Sequence, residues 1–210
     1  MNYHCQKLKS GLYLVATPLG SARDITLRAL DVLCSCDALA AEDTRSMRKL
    51  LNIHNIPLKD RPILSYNDFN GDRVRPTIMN WLNSNMAVAY ASDAGMPLIA
   101  DPGYQLSKQA AEAGFYVTAV PGASACITAL SLSGLPTDRF FFEGFLPVSK
   151  EKRRQKLKEL SSIPSTLIFY ESPKRLIKMF EDLIAIMGEN RRAVIAVSYT
   201  HLRAHETSQH

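Results

Sequence analysis

The 210-residue chain holds only four cysteines, Cys5, Cys34, Cys36 and Cys126, with no C-x-x-C pair among them. Cys34 and Cys36 are separated by a single residue on an amphipathic, helix-like segment, a spacing that disfavours a zinc site. Core thiols in a reducing compartment are the simpler account. No apolar run approaches the ~20 residues that a membrane span requires. The start, Met1 to Lys9, places no apolar segment behind its charges and does not read as a secretory signal, so the expected location is the cytoplasm. G-x-G-x-x-G is also missing, which disfavours a conventional dinucleotide site. The single tryptophan, Trp81, reads as a packing residue.

What is present is a globular composition: 46% hydrophobic residues and a mean hydropathy of -0.09. The net charge of +5 permits a polyanionic partner without demanding one. The stretch Met86 to Thr128 organises the rest. It reads as a strand (Met86 to Ala91), a Ser-Asp-Ala-Gly-Met-Pro turn, a helix from about Gly103, a strand (Phe115 to Val120) and a Pro-Gly-Ala-Ser turn opening another helix. Both turns are expected at the carboxyl ends of adjacent strands, where open α/β sheets place ligands. Asp93 follows its strand closely and is followed by small Ala94 and Gly95, which let a ligand approach the backbone. A carboxylate there suits a hydroxyl or a cation better than a phosphate. Ser124 is placed to cap the helix beginning near Ala125. Each turn, taken singly, is also an ordinary strand-to-helix connection.

Earlier in the chain, Gly11 to Ala16 is a short strand followed by the turn Thr17-Pro18-Leu19-Gly20, and Asp24 is expected to begin a helix. Cys36 to Ala41 forms a second strand, with Glu42, Asp43 and Arg45 at its end. These charges read equally as a salt-bridged helix start or as a functional group. Ser46 to Asn52 is helical, Ile63 begins a strand running into a polar loop, and Arg73 to Asn83 is helical. Four strand-turn-helix units imply a mostly parallel sheet with helices on both faces.

Ser133-Gly134-Leu135-Pro136 reads as a boundary, giving an N-terminal α/β domain over residues 1–133 and a smaller α+β domain from 134. The latter has an aromatic strand (Arg139 to Leu146), a basic helix (Lys150 to Leu160), a strand (Ser165 to Tyr170) and an amphipathic helix ending near Met187. The basic helix carries Lys150, Lys152, Arg153, Arg154, Lys156 and Lys158, a cluster able to neutralise phosphates and equally able to be a solvated face.

Assembled in order, these residues resemble the S-adenosyl-L-methionine (SAM)-dependent tetrapyrrole-methylase superfamily, nearly end to end up to Ala196. Within it the likeness is to enzymes that methylate a cytidine ribose 2′-oxygen in small-subunit ribosomal RNA. The resemblance rests on Ala16 to Gly20, Asp24 to Leu30, Ala41 to Arg45, Ser92 to Gly95, Asp101 to Gly103, Pro121 to Ala125, Gly134 to Arg139, Glu143 to Pro147 and Phe169 to Pro173. It implies two α/β domains with SAM in the cleft between them, and a homodimer. Carried over by motif, SAM is expected on Pro18, Leu19, Gly20, Asp93, Gly95, Met96, Ser124 and Ala125, with backbone around Phe169 and Tyr170. Glu171, Asp43 and Glu42 are the candidate proton acceptors for the attacking hydroxyl, each with a salt-bridge reading beside it. Arg45, Lys152, Arg153, Arg154, Lys174 and Arg175 are the candidate RNA contacts, on free RNA or an assembled small ribosomal subunit. A methylase of small tetrapyrroles and a noncatalytic RNA-binding module are the competing readings.

Two loops depart from the family pattern. The loop after the third strand, usually rich in His and Glu, reads Tyr66-Asn67-Asp68-Phe69-Asn70, and Lys174 stands where a His often follows Ser-Pro. The end departs further. Residues Val197 to Thr207 read as the in-frame translation of a transposase-type sequencing adapter, so 197–210 is expected to be a non-native tail and 134–196 a truncated domain. Three of the five histidines lie there, so no metal site is read from them.

Overall fold

The computed structural model describes residues 3–197 and 203–206. It has two compact units, Met1–Ala125 and Cys126–His210. The division falls ahead of the helix that the Ser133 to Pro136 break terminates, not behind it: that break ends a helix without opening the second unit.

Unit 1 alternates strand and helix: β1 (Gly11–Val15), α1 (Leu27–Ser35), β2 (Ala38–Ala41), α2 (Thr44–Ile53), β3 (Ile63–Ser65), α3 (Gly71–Asn83), β4 (Ala87–Ala91), α4 (Tyr104–Glu112) and β5 (Val117–Val120). The five strands form one parallel sheet in the order β3-β2-β4-β1-β5. The period of two sends successive side chains of β1 to opposite faces. Tyr13 and Val15 pack with Leu30 and Leu33 of α1 and Met47 and Leu51 of α2, while Leu12 and Leu14 pack with Ile78 and Leu82 of α3 and Leu106 of α4. Helices therefore cover both faces, which is why β1, β2 and β4 are apolar and buried at every position.

Local chemistry sets the helix starts. The helix expected from Asp24 opens at Leu27, because the Thr26 side chain accepts from Ala29 N–H at 3.1 Å and caps it there. Asp43 likewise caps α2, accepting from Arg45 N–H at 2.8 Å. Cysteine chemistry also differs from expectation. Cys36 and Cys126 are buried free thiols, Cys36 pushed up to about 11 by burial, but Cys5 and Cys34 are joined as a disulfide. The residues flanking Cys5 are held on α1 as well, His4 N–H by Asp31 at 2.6 Å and Gln6 N–H by Ser35 at 3.0 Å.

Unit 2 contains α5 (Ala125–Leu132, beginning at the last residue of unit 1), β6 (Phe140–Phe145), α6 (Lys150–Ser161), β7 (Thr166–Tyr170), α7 (Leu176–Met187), β8 (Val194–Val197) and β9 (Arg203–Glu206). β6 and β7 pair in parallel and β8 and β9 antiparallel. Of the segment expected to be a tail, 198–202 and 207–210 lie outside the described residues. Leu146, Leu157, Leu160 and Met179 form a small core. Beside it Asp182, 1% exposed, receives Arg153 Nη2 at 2.7 Å and Arg154 Nε at 2.6 Å. Burial alone would raise the Asp182 carboxyl, but hydrogen bonds and charge from Arg154 and Arg153 outweigh it and hold the group below its ordinary value.

Two stability predictions follow from this packing. Asp182→Asn leaves Arg153 buried against a neutral partner and should destabilise unit 2 by about 3–5 kcal/mol, read by denaturant unfolding; a change near zero contradicts the pairing. Gly103 precedes α4 at φ +116°, and a Cβ there would strike the Tyr90 ring and come within 2.8 Å of Leu98. Gly103→Ala should lower stability by roughly 2–4 kcal/mol through backbone strain and overpacking, seen as a fall in Tm.

Candidate functional site

The chain reverses its direction of travel across the sheet between β1 and β4. From β1 it moves through α1 to β2 and through α2 to β3 on one face; from β4 it moves through α4 to β5 on the other. Adjacent strands whose helices leave to opposite sides open a crevice at their carboxyl ends. The turns of the organising stretch are consequently not on adjacent strands: β1 lies between β4 and β5, because each crossover skips a strand. That insertion brings a third turn, Thr17 to Gly20, between them.

A reciprocal backbone bridge closes the crevice floor. Thr17 N–H donates to Gly95 C=O and Gly95 N–H to Thr17 C=O, each at 3.0 Å. The buried Thr17 hydroxyl donates to Ser92 C=O at 3.1 Å. Gly95 holds φ +82°, and a Cβ there would sit 3.2 Å from Leu19 and 3.5 Å from the Ala123 carbonyl, so the turns after β1, β4 and β5 converge on this glycine. Above the bridge lies a cavity of about 240 Å³ lined by Pro18, Gly20, Ser92, Asp93 and the Ser46, Lys49, Leu50 and Ile53 face of α2.

The charges here are carboxylates more than cations. Glu42 Oε2 accepts from Asp93 N–H at 3.1 Å. Burial pushes the Glu42 carboxyl above its ordinary range, and burial does the same to Asp93, against hydrogen bonds from the Asp43 backbone and Ser46. Asp101 is raised to about 6, first by burial and then by the charge of Glu42. Asp43 behaves oppositely: Arg45 Nη2 stands 2.6 Å away and holds it down at about 2. A carboxylate that acidic is a weak proton acceptor.

Of the expected cofactor residues, Pro18, Gly20 and Asp93 line the cavity, while Leu19 and Gly95 form its floor. Met96 packs beneath, against the α3 and α4 face of the sheet. Ser124 and Ala125 directly follow Ala123 at the end of unit 1. Phe169 and Tyr170 belong to β7 of unit 2, Phe169 against its core and Tyr170 edge-on to Phe142 and Phe145. Glu171 accepts from Ser172 N–H at 2.8 Å and pairs with Arg175 at 3.0 Å, so its salt-bridge reading holds in the structure.

The expected RNA contacts divide. Lys152 and Lys174 are exposed, and Arg45 is exposed but paired with Asp43. Arg175 is committed to Glu171 and the Leu146 carbonyl. Arg154 is half-exposed, with Nε on Asp182. Arg153 is corrected outright: it is 5% exposed, its guanidinium spent on Asp182 and the Val148 carbonyl, so it cannot reach a phosphate. Sequence reasoning did not single out Ser46, Lys49, Leu50 and Ile53 as cavity wall, although their helical spacing marks one face of α2.

Residues 11–203 match the profile of the tetrapyrrole (corrin/porphyrin) methylases. The chain is 46% identical over 189 residues to the Vibrio cholerae ribosomal RNA small subunit methyltransferase I, covering 90% of this chain and 65% of the relative. The Escherichia coli O157:H7 protein of the same name matches to the same extent, 46% over 189 residues with the same coverage. The Bacillus subtilis one is 42% identical over 183 residues, covering 87% and 62%. The chain thus spans about two thirds of the length of these curated relatives. Among solved structures, cobalt precorrin-4 methyltransferase, CbiF, superposes with a TM-score of 0.66 at 15% identity, covering 94% of this chain and 84% of that one. Uroporphyrin III C-methyl transferase from Thermus thermophilus gives 0.65 at 15% identity, covering 93% and 87%. At that identity the two structures speak for the fold alone. The chain belongs to the tetrapyrrole (corrin/porphyrin) methylase family.

Proposed function

We propose that this chain is the catalytic part of a SAM-dependent methyltransferase acting on the ribose 2′-oxygen of a cytidine in small-subunit ribosomal RNA. The observation that carries the reading is the Thr17–Gly95 bridge with Asp93 beside it, at a sheet end shared with relatives named for ribosomal RNA methylation. The cavity fits SAM chemically: its Asp93 carboxylate, raised by burial, answers a hydroxyl or ammonium group, and the Pro18 to Gly20 backbone approaches without side-chain bulk. SAM, when bound, supplies a methyl group on a sulfonium. Everything else falls to the protein: Asp93, Pro18 and Gly20 hold and orient, and the crevice walls exclude water.

A ribose hydroxyl is a weak nucleophile, so an acceptor for its proton helps. Among the three candidates Glu42 is favoured, because burial raises its basicity while Arg45 lowers that of Asp43 and Arg175 occupies Glu171. Exposed Lys150, Lys152, Lys158 and Lys174 on unit 2 support phosphate contact, either with free RNA or with the assembled subunit. The 15% identity of the corrin and porphyrin enzymes gives the tetrapyrrole reading no comparable support. A cytoplasmic, homodimeric protein belongs to the same reading; among the described residues no helix is long and apolar enough to cross a membrane. So does a native chain interrupted near Ala196, which genomic sequence running into the same final fourteen residues would refute.

The test is transfer of labelled methyl from SAM to unmodified small ribosomal subunits by the protein carrying its genomic C-terminal segment. Label in ribose is expected, with Asp93→Ala weakening SAM binding by roughly 10- to 100-fold; no transfer despite tight SAM binding refutes the RNA reading. Glu42→Gln should cut turnover by about 10²–10⁴ with SAM affinity nearly unchanged. The working form of Glu42 is the deprotonated one, so turnover should fall as pH drops through a value above the ordinary 4.5, and this acid limb should vanish in Glu42→Gln. A loss in Glu171→Gln without one in Glu42→Gln moves the proton to Glu171.

A further inference from the structure

Unit 1 has a second cavity, of about 190 Å³, on the α3 and α4 side of the sheet. One wall is the β3–α3 loop, including Asn67 and Asp68; the other is Asp101 to Gln105, where α4 begins. This volume is smaller than the ~300 Å³ at which pockets for whole small molecules begin, and it suits one inserted group.

The polar lining accepts more than it donates. Asp68, Asp72 and Asp101 contribute three carboxylates. The guanidinium of Arg75 is already committed, Nη2 to Asp72 at 2.6 Å and Nε to the Tyr66 hydroxyl at 3.2 Å. Phosphate is repelled by such a lining, whereas an exocyclic amine is welcomed, as when Asp or Glu accepts from cytosine N4.

Two aromatic rings stand exposed on the walls. Tyr104, at the first turn of α4, is 61% exposed, and Phe69, on the β3–α3 loop, is fully exposed. The loop cannot fold Phe69 away, because it is fixed from within. Asn67 Oδ1 accepts from Phe69 N–H at 3.1 Å and Asn70 N–H at 3.2 Å; Asn70 Oδ1 accepts from Asn67 N–H at 2.9 Å; and Asn70 Nδ2 donates to Ser65 C=O at 3.1 Å. An aromatic held in water by a rigid loop is a preorganised stacking surface.

We propose that this cavity is a nucleobase subsite, taking one unpaired base that bears an exocyclic amine, of the cytosine class, stacked on Phe69 or Tyr104 with its amine on the Asp68 and Asp101 carboxylates. The proposal rests on the RNA reading above. It gives the β3–α3 loop, where this chain departs from the His- and Glu-rich family pattern, a role in choosing the base.

The test uses the 210-residue chain and short uridine RNAs carrying cytidine, uridine or an abasic residue at the centre, with affinity read by fluorescence anisotropy at one fixed salt concentration. The cytidine RNA is expected to bind roughly tenfold or more tightly than the other two. Phe69→Ala should weaken cytidine binding by roughly 5- to 150-fold, with Phe69→Trp restoring it. Asp68→Asn combined with Asp101→Asn should abolish the preference for cytidine over uridine. SAM binding by Phe69→Ala should match the unsubstituted chain, since the ring packs on nothing. Equal affinity for the three RNAs, or an unchanged Phe69→Ala, overturns the subsite and leaves the RNA reading standing. No RNA binding by the unsubstituted chain overturns both.

Discussion

Two backbone hydrogen bonds between Thr17 and Gly95 are the constraint on which the functional end of unit 1 depends. β1 and β4 run parallel, and beyond their last rungs nothing in a parallel ladder obliges the two turns to stay together. The bridge continues the pairing for one more step in the antiparallel sense, and the buried Thr17 hydroxyl adds a third bond to Ser92. Gly95 makes this possible by adopting a positive φ where a side chain would press on Leu19. Once these turns are locked, Asp93 is aimed by a short, fixed span of backbone, and Glu42 can hold its N–H from the neighbouring strand.

Desolvation then acts with opposite outcomes in the two units. In unit 1 the carboxyls of Glu42, Asp93 and Asp101 are partly buried, beside one another and without dominant cation partners, and all three are raised. In unit 2 Asp182 is buried more deeply but sits between two guanidiniums and is lowered. The difference separates binding chemistry from scaffold chemistry. A satisfied pair such as Asp182 with Arg153 has nothing left to offer a ligand, whereas carboxyls kept short of cations gain by acquiring a ligand with a donor or a positive charge.

How much of this was legible in the sequence differs by element. The strand-turn-helix alternation was open to inspection because it is local: Leu12 and Leu14 face one way, Tyr13 and Val15 the other, and the glycine- and proline-containing turns punctuate them. Pro18, Gly20 and Asp93 could be placed at a ligand-binding edge for the same reason. Strand order was not legible, since the insertion of β1 between β4 and β5 depends on which crossover skips which strand. The Cys5–Cys34 bond joins residues 29 apart and left no local mark. Arg153 is the instructive case. It lies four residues before Leu157 and seven before Leu160, on the inward stripe of α6, but the density of surrounding cations hid that period, and its partner Asp182 is 29 residues away.

The two cavities of unit 1 are not electrostatically independent. The first is walled by α2 and holds Asp93; the second is walled by the starts of α3 and α4 and holds Asp101. Glu42 acts on the carboxyls of both, raising Asp101 by its charge and holding the Asp93 backbone, and Asp93 in turn acts on Asp101. A cationic ligand in the first cavity therefore draws Glu42 and Asp101 back toward ionisation, and an ionised Asp101 is a stronger acceptor for an amine in the second. Linkage makes the effect reciprocal: whatever strengthens amine binding at Asp101 through charge at Asp93 is returned as tighter binding at Asp93. A ligand that arrives positively charged and leaves neutral thus loosens the second cavity as it goes. The same carboxyl group that recognises one ligand then takes part in releasing the other, with no movement of the backbone required.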